Sequence, residues 1–129
     1  MTDGEELFRI ALDERITREN KREDDGLPRH HFYVYILTSY NGNAMYIGVT
    51  NNLPRRVTEH QEGLIDGFTK AYHVHKLVYY EEYDDPRTAI EREKQLKRWS
   101  RSKKNWLVET ANPEWKEILL SDLPWYMYD

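Results

Sequence analysis

The chain contains no cysteine, so neither a disulfide nor a thiolate metal ligand contributes to its fold or its chemistry. An apolar core must hold it together, and its 129 residues are enough for one compact domain. Absence of cystine also points to an intracellular, cytoplasmic location. No apolar run approaches the ~20 residues that a membrane-spanning helix needs, and the first thirty residues are too charged for a secretory signal. A soluble protein with no membrane contact is expected. An excess of positive charge is missing as well: the formal net charge is −4, which read as a sum argues against a nucleic-acid partner. Charge acts by place, however. Residues 1–31 carry nine acids and six bases, residues 32–111 ten and twelve, and residues 112–129 four and one. The middle is therefore net basic. Within it Arg92, Lys94, Lys97, Arg98, Arg101, Lys103 and Lys104 accompany one acid, Glu93, which makes a basic stripe in an acidic chain.

The rest of the chain is organised around Tyr33-Val34-Tyr35 and Tyr46-Ile47-Gly48. The run from Tyr33 to Leu37 alternates as a half-buried strand, Tyr40-Asn41-Gly42-Asn43 is turn chemistry, and Ala44 to Gly48 reads as the returning strand of a hairpin. The two tyrosine clusters thus become neighbours. Asn51 or Asn52 offers an N-cap, and Pro54 suits a first helical turn, so a helix is expected from about Leu53 to Gln61. On it Arg56 and His60 stand four apart and share a face. A third strand is expected over Leu77–Tyr83, rich in β-branched and aromatic residues. Asp84-Asp85-Pro86 ends that strand and starts a long helix running to about Lys103, with Ala89, Ile90, Leu96 and Trp99 as its buried face. A short apolar turn at Trp106-Leu107-Val108 follows. The expected fold is α/β: a small, three-stranded, mainly antiparallel sheet flanked by helices. Ahead of the hairpin, Leu7 to Ile16 suggests a short amphipathic helix, followed by the charged run Thr17–Asp25 and the breaker Gly26-Leu27-Pro28.

This pattern resembles the GIY-YIG nuclease superfamily, in which two tripeptides lie on neighbouring strands. Tyr46-Ile47-Gly48 is the second without change; in the first, Tyr33 stands where the family usually has glycine, and Tyr35 keeps the tyrosine. The family's arginine falls ten residues past the tyrosine of the second tripeptide, which is Arg56 here. The stretch from Ala89 to Trp99, then Arg101, Lys103, Lys104 and Asn112-Pro113-Glu114-Trp115, is similar to the small stand-alone bacterial proteins of this superfamily, which resemble the N-terminal part of an excinuclease. The resemblance covers roughly residues 32–115. It leaves residues 1–31 as a charged N-terminal helix and linker and residues 116–129 as a C-terminal tail. It implies the same α/β fold and a metal-dependent endonuclease that hydrolyses phosphodiester bonds in DNA, in repair or processing of branched or damaged DNA.

Taken alone, Tyr35 and Tyr46 are ordinary strand residues. The family uses such tyrosines beside the attacking water and the scissile phosphate. Arg56 rather than Arg55 fits the family spacing, and a guanidinium offers bidentate bonds to phosphate. His60 alone reads as a surface histidine, but the family often has a histidine there. Glu91 and Glu93 compete for the metal: about 200° apart on a helix, only one can face the site. Resemblance favours Glu93, because the family's carboxylate precedes a pair like Leu96-Lys97. Asn52 can be read as a cap or a substrate contact. Thr69 and Lys70 can be read as loop residues, or as the polar groups that related sequences turn toward substrate. Lys97, Arg98 and Arg101 are the stripe residues expected on the nucleic acid. His73 and His75 lack the partners of a zinc site. Trp99, Trp106 and Trp115 read as packing residues.

The implied chemistry uses one hard divalent cation, Mg²⁺ or Mn²⁺, on Glu93. Tyr46, relayed through Tyr35 or His60, would position or deprotonate the water. A free tyrosine, with a pKa of about 10, is a poor base near neutrality, so Arg56 and the metal would have to favour its phenolate. Arg56 would stabilise the phosphate in the transition state. Val49 stands where some members carry lysine, so one cation of the fuller pattern is missing. Two other classes compete: a catalytically inactive nucleic-acid-binding module using the basic stripe, and a protein-interaction domain using the acidic ends.

Overall fold

The structure is a computed structural model that describes residues 31–65 and 67–128. The helix expected near Leu7–Ile16 lies outside the described residues. Three strands, β1 (Phe32–Thr38), β2 (Met45–Thr50) and β3 (Lys76–Tyr83), form one antiparallel sheet in the order β2-β1-β3. All seven residues of β1 are buried, as a central strand covered on both faces must be. Between β2 and β3 come helix α1 (Leu53–Gln61) and the one-turn helix α2 (Phe68–Ala71); after β3 come α3 (Pro86–Arg98) and α4 (Arg101–Ala111).

Alternation along β1 separates two cores. Phe32, Val34 and Ile36 point to one face with Ile47 and Val49, and are covered by Ala89, Ile90 and Leu96 of α3 and Leu107 and Val108 of α4. Tyr33, Tyr35 and Leu37 point to the other with Tyr46. That face is closed by Leu53 and Val57 of α1, by Val74, and by Leu123 and Met127. Residues 116–128, left as a tail beyond the reach of the family resemblance, run across this second face. Ile118 N–H donates to Leu77 O at 2.8 Å, and the Tyr126 hydroxyl donates to Glu82 at 2.7 Å.

Caps place the helices. Asn52, not Asn51, caps α1, its Oδ1 accepting from Arg55 N–H at 3.1 Å, with Pro54 in the first turn. Asp85 does the same for α3 through Thr88 N–H at 2.9 Å. The single helix expected from Pro86 to Lys103 is corrected to two. Trp99 is extended (φ −72°, ψ 153°), and the Ser100 hydroxyl caps a new helix at Lys103 N–H, 3.2 Å away. Serine competes for backbone groups inside a helix but satisfies them at its start. The Arg92 and Lys103 cations both lie over the Trp99 ring, 5.3 and 4.2 Å from its centroid. The apolar turn expected at Trp106-Leu107-Val108 is likewise helix, part of α4. Trp106, expected to pack, is 58% exposed, because Leu107 and Val108 already fill the buried face.

Candidate active site

Antiparallel register sets the first pair of groups. Tyr35 is directly opposite Gly48, and Leu37 opposite Tyr46, so both tyrosines lie on the α1 face two residues apart. Gly48 is there because the Tyr35 ring crosses it: a Cβ built on Gly48 would come 2.5 Å from Tyr35 Cζ and nearer still to the hydroxyl. Any side chain would fill the space the phenol occupies.

From α1, His60 enters between the tyrosines, its ring centroid 5.2 Å from Tyr46 and 5.8 Å from Tyr35. It is 1% exposed, far from the surface histidine that its sequence context suggests. Nε2 is 2.9 Å from the Tyr35 hydroxyl and Nδ1 is 3.0 Å from Thr69 Oγ1. Arg56, one turn earlier, acts on the Tyr35 hydroxyl by charge and hydrogen bond and pairs with Glu59 at 3.3 Å. Arginine can only donate, so Tyr35 Oη accepts from Arg56. The tautomer in which Tyr35 O–H donates to Nε2 and Nδ1–H donates to Thr69 fits both of these bonds.

Burial lowers the His60 pKa to about 4, with the charge of Arg56 and the neighbouring His75 acting in the same direction. The imidazole is neutral at neutral pH. Burial, followed by the neighbouring Tyr46, raises Tyr35 well above an ordinary phenol, against the opposing influence of Arg56. Tyr35 therefore stays protonated and serves as a hydrogen-bonding link rather than a base.

Glu93 comes from α3, on the opposite face of the sheet. It is 4% exposed, and its Oε2 lies 3.5 Å from Lys97 Nζ. Lys97 in turn reaches past edge strand β2 to sit 5.7 Å from the Tyr46 ring centroid, and the Glu93 charge is felt at Tyr35. Glu91 is exposed. Helix geometry thus turns Glu93, and not Glu91, toward the tyrosines. Among the described residues no three His, Asp or Glu side chains are grouped to hold a metal. A donor set of one buried carboxylate fits a hard cation that keeps its own waters, and does not fit zinc.

The structure therefore brings Tyr35, Tyr46, Arg56, His60 and Glu93 into one cluster. It places the accessory residues differently from one another. Thr69 is buried and turned onto His60 rather than outward. Asn52 is engaged as the α1 cap. Lys70 is exposed on α2. Lys97 belongs to the cluster through Glu93 and Tyr46, while Arg98 is exposed on α3. Arg101 is engaged with the hairpin turn, donating to Gly42 O at 2.6 Å and Asn43 O at 3.1 Å. Arg92 leaves the basic stripe altogether, its guanidinium forked onto Glu81 at 2.9 and 3.0 Å. Sequence reasoning gave no role to Glu59, whose only signal is its i,i+3 spacing from Arg56, or to His75, which bonds the His60 carbonyl at 3.1 Å.

Residues 31–105 match the family described as GIY-YIG catalytic domain. Among similar chains, a UPF0213 protein of Bacillus pumilus is 32% identical over 88 residues, covering 68% of this chain and 89% of that one. A UPF0213 protein of Natronomonas pharaonis is 38% identical over 76 residues, covering 59% and 88%. The solution NMR structure of a UPF0213 protein from Bacillus halodurans has a TM-score of 0.45 and 29% identity, over 67% of this chain and 90% of that one.

Proposed function

The chain belongs to the GIY-YIG catalytic-domain family, and from that premise we propose that it is a metal-dependent endonuclease that hydrolyses phosphodiester bonds in DNA. Its setting in this reading is the cytoplasm, in repair or processing of branched or damaged DNA. The observation that carries the proposal is the convergence of Tyr35, Tyr46, Arg56, His60 and Glu93, drawn from two strands and two helices, on one cluster.

Each group has a task its environment suits. Arg56, held between Tyr35 and Glu59, presents a fixed guanidinium to the phosphate and opposes the charge that builds on its oxygens. Tyr46 is only half-buried, so its hydroxyl is the one positioned to orient a water for attack. His60 and Tyr35 are both neutral and hydrogen-bonded to each other; they hold the Tyr46 ring and the Arg56 guanidinium in place. Glu93 would hold one Mg²⁺ or Mn²⁺, which when bound supplies charge neutralisation at the phosphate and a more acidic water. Lys97, beside Glu93 and Tyr46, adds positive charge where a phosphate would approach.

Incubation with branched, single-stranded and duplex DNA, with and without Mg²⁺ or Mn²⁺, tests the reading. Cleavage that requires the cation supports it. Binding without cleavage on all three substrates would leave a nucleic-acid-binding module in its place.

A further inference from the structure

The segment joining α1 to β3 carries an aromatic pair that the catalytic cluster does not use. Phe68 and Tyr72 are 45% and 59% exposed, with ring centroids 4.8 Å apart and planes inclined by 37°. Tyr72 N–H bonds Phe68 O at 3.0 Å, which sets the rings one turn apart on a single side of α2. Scattered surface aromatics need no explanation, but this pair is not scattered: Thr69, the residue that follows Phe68, is the one that bonds His60. Successive helical residues turn by about 100°. Phe68 and Tyr72 therefore flank Thr69 on one side, and Lys70, exposed, flanks it on the other. An apolar stacking surface and a cation thus adjoin the residue that bonds His60.

We propose that Phe68 and Tyr72 form a stacking platform for an unpaired nucleobase next to the phosphate bound at Arg56 and Tyr46. The occupant follows from chemistry. The strand that brings a phosphate to Arg56 carries a base within reach, Lys70 suits the neighbouring phosphate, and two aromatic faces suit the base. In a duplex each base is stacked between its neighbours and cannot offer a face to the rings; an unpaired one can. The substrate class is therefore DNA with unpaired nucleotides at the cleavage position. This inference rests on the nuclease reading.

The test measures binding rather than cleavage. The full chain, in EDTA, is titrated by fluorescence anisotropy with a single-stranded oligodeoxynucleotide, with a strand of the same length made of abasic nucleotides, and with a duplex. The unmodified protein should prefer the base-bearing single strand to the abasic one by about tenfold. Phe68→Leu combined with Tyr72→Leu should abolish that preference and leave duplex affinity within about twofold. Both side chains are exposed, so the domain should stay folded; Tyr72→Leu alone provides a milder variant if the pair does not. Equal loss on all three ligands, or an unchanged preference for bases, would overturn the platform. Metal-dependent cleavage is scored separately, so the absence of cleavage with the base preference intact would count against the nuclease reading and not against the platform.

Discussion

The Tyr35 phenol lies across Gly48, its cross-strand partner, so closely that a Cβ on Gly48 would stand 2.5 Å from Tyr35 Cζ. The ring is buried on every other side and its hydroxyl is fixed by His60. Gly48→Ala should therefore force the strands or the ring to move, at a cost of about 1–3 kcal/mol, and should depress cleavage by displacing the hydroxyl. Urea unfolding together with a cleavage assay checks this. An alanine variant of native stability and activity would show that the ring has room to shift.

Glu93→Ala and Arg56→Ala should each reduce metal-dependent cleavage by about a hundredfold or more while leaving DNA binding largely intact. Glu91→Ala, at an exposed position two residues away, should leave cleavage unchanged. Loss of activity with Glu91 and not with Glu93 would reverse the helix face assigned to the metal.

Stability should fall with acidity through His60. Its folded pKa is about 4 against an ordinary 6.5, because burial and Arg56 disfavour the proton. The unfolded chain therefore takes up a proton that the folded one refuses. The contribution is fully present above pH ~6.5 and is lost as the pH falls toward ~4, amounting to something on the order of 3 kcal/mol. Urea titrations at several pH values, for the native chain and for His60→Gln, isolate it. Parallel pH dependences of the two would refute the assignment.

Thr69→Val keeps the shape of Thr69 but removes the acceptor for His60 Nδ1–H, leaving a buried donor unsatisfied at a cost of about 1–3 kcal/mol. Thr69→Ser should restore it. Because Thr69 acts through the imidazole, ¹⁵N NMR should show the Nδ1–H tautomer in the native and Ser forms and its loss in the Val form. An unchanged tautomer would reduce Thr69 to a packing residue.

Much of the fold was legible because it rests on local rules. Turn chemistry around Gly42, the Asn52 and Asp85 caps and the prolines behind them each act over a few residues, and the structure realises them. The strand expected to be half-buried over residues 33–37, by contrast, is buried on both faces because helices cover both sides of the sheet. The split of the long helix was less visible. Ser100 caps a new helix because Trp99 leaves the helical conformation, a change of backbone direction that the helical period does not reveal.

For the site, the sequence by itself determined which residue types are available, that the strands bearing Tyr35 and Tyr46 are neighbours and, through the helix period, that Arg56 and His60 share a face; the cross-strand register then put Tyr35 and Tyr46 on one face. The tertiary structure decided what those groups are chemically. Packing α1 against the odd-numbered face of β1 buries His60 between two phenols and keeps it neutral. The approach of α2 turns Thr69 inward and Phe68 and Tyr72 outward. Placing α3 on the opposite face brings Glu93, and not Glu91, to the edge of β2. The physical reason is range. Periodicity fixes direction within one element, whereas desolvation and the fields of neighbouring charges depend on which elements come together.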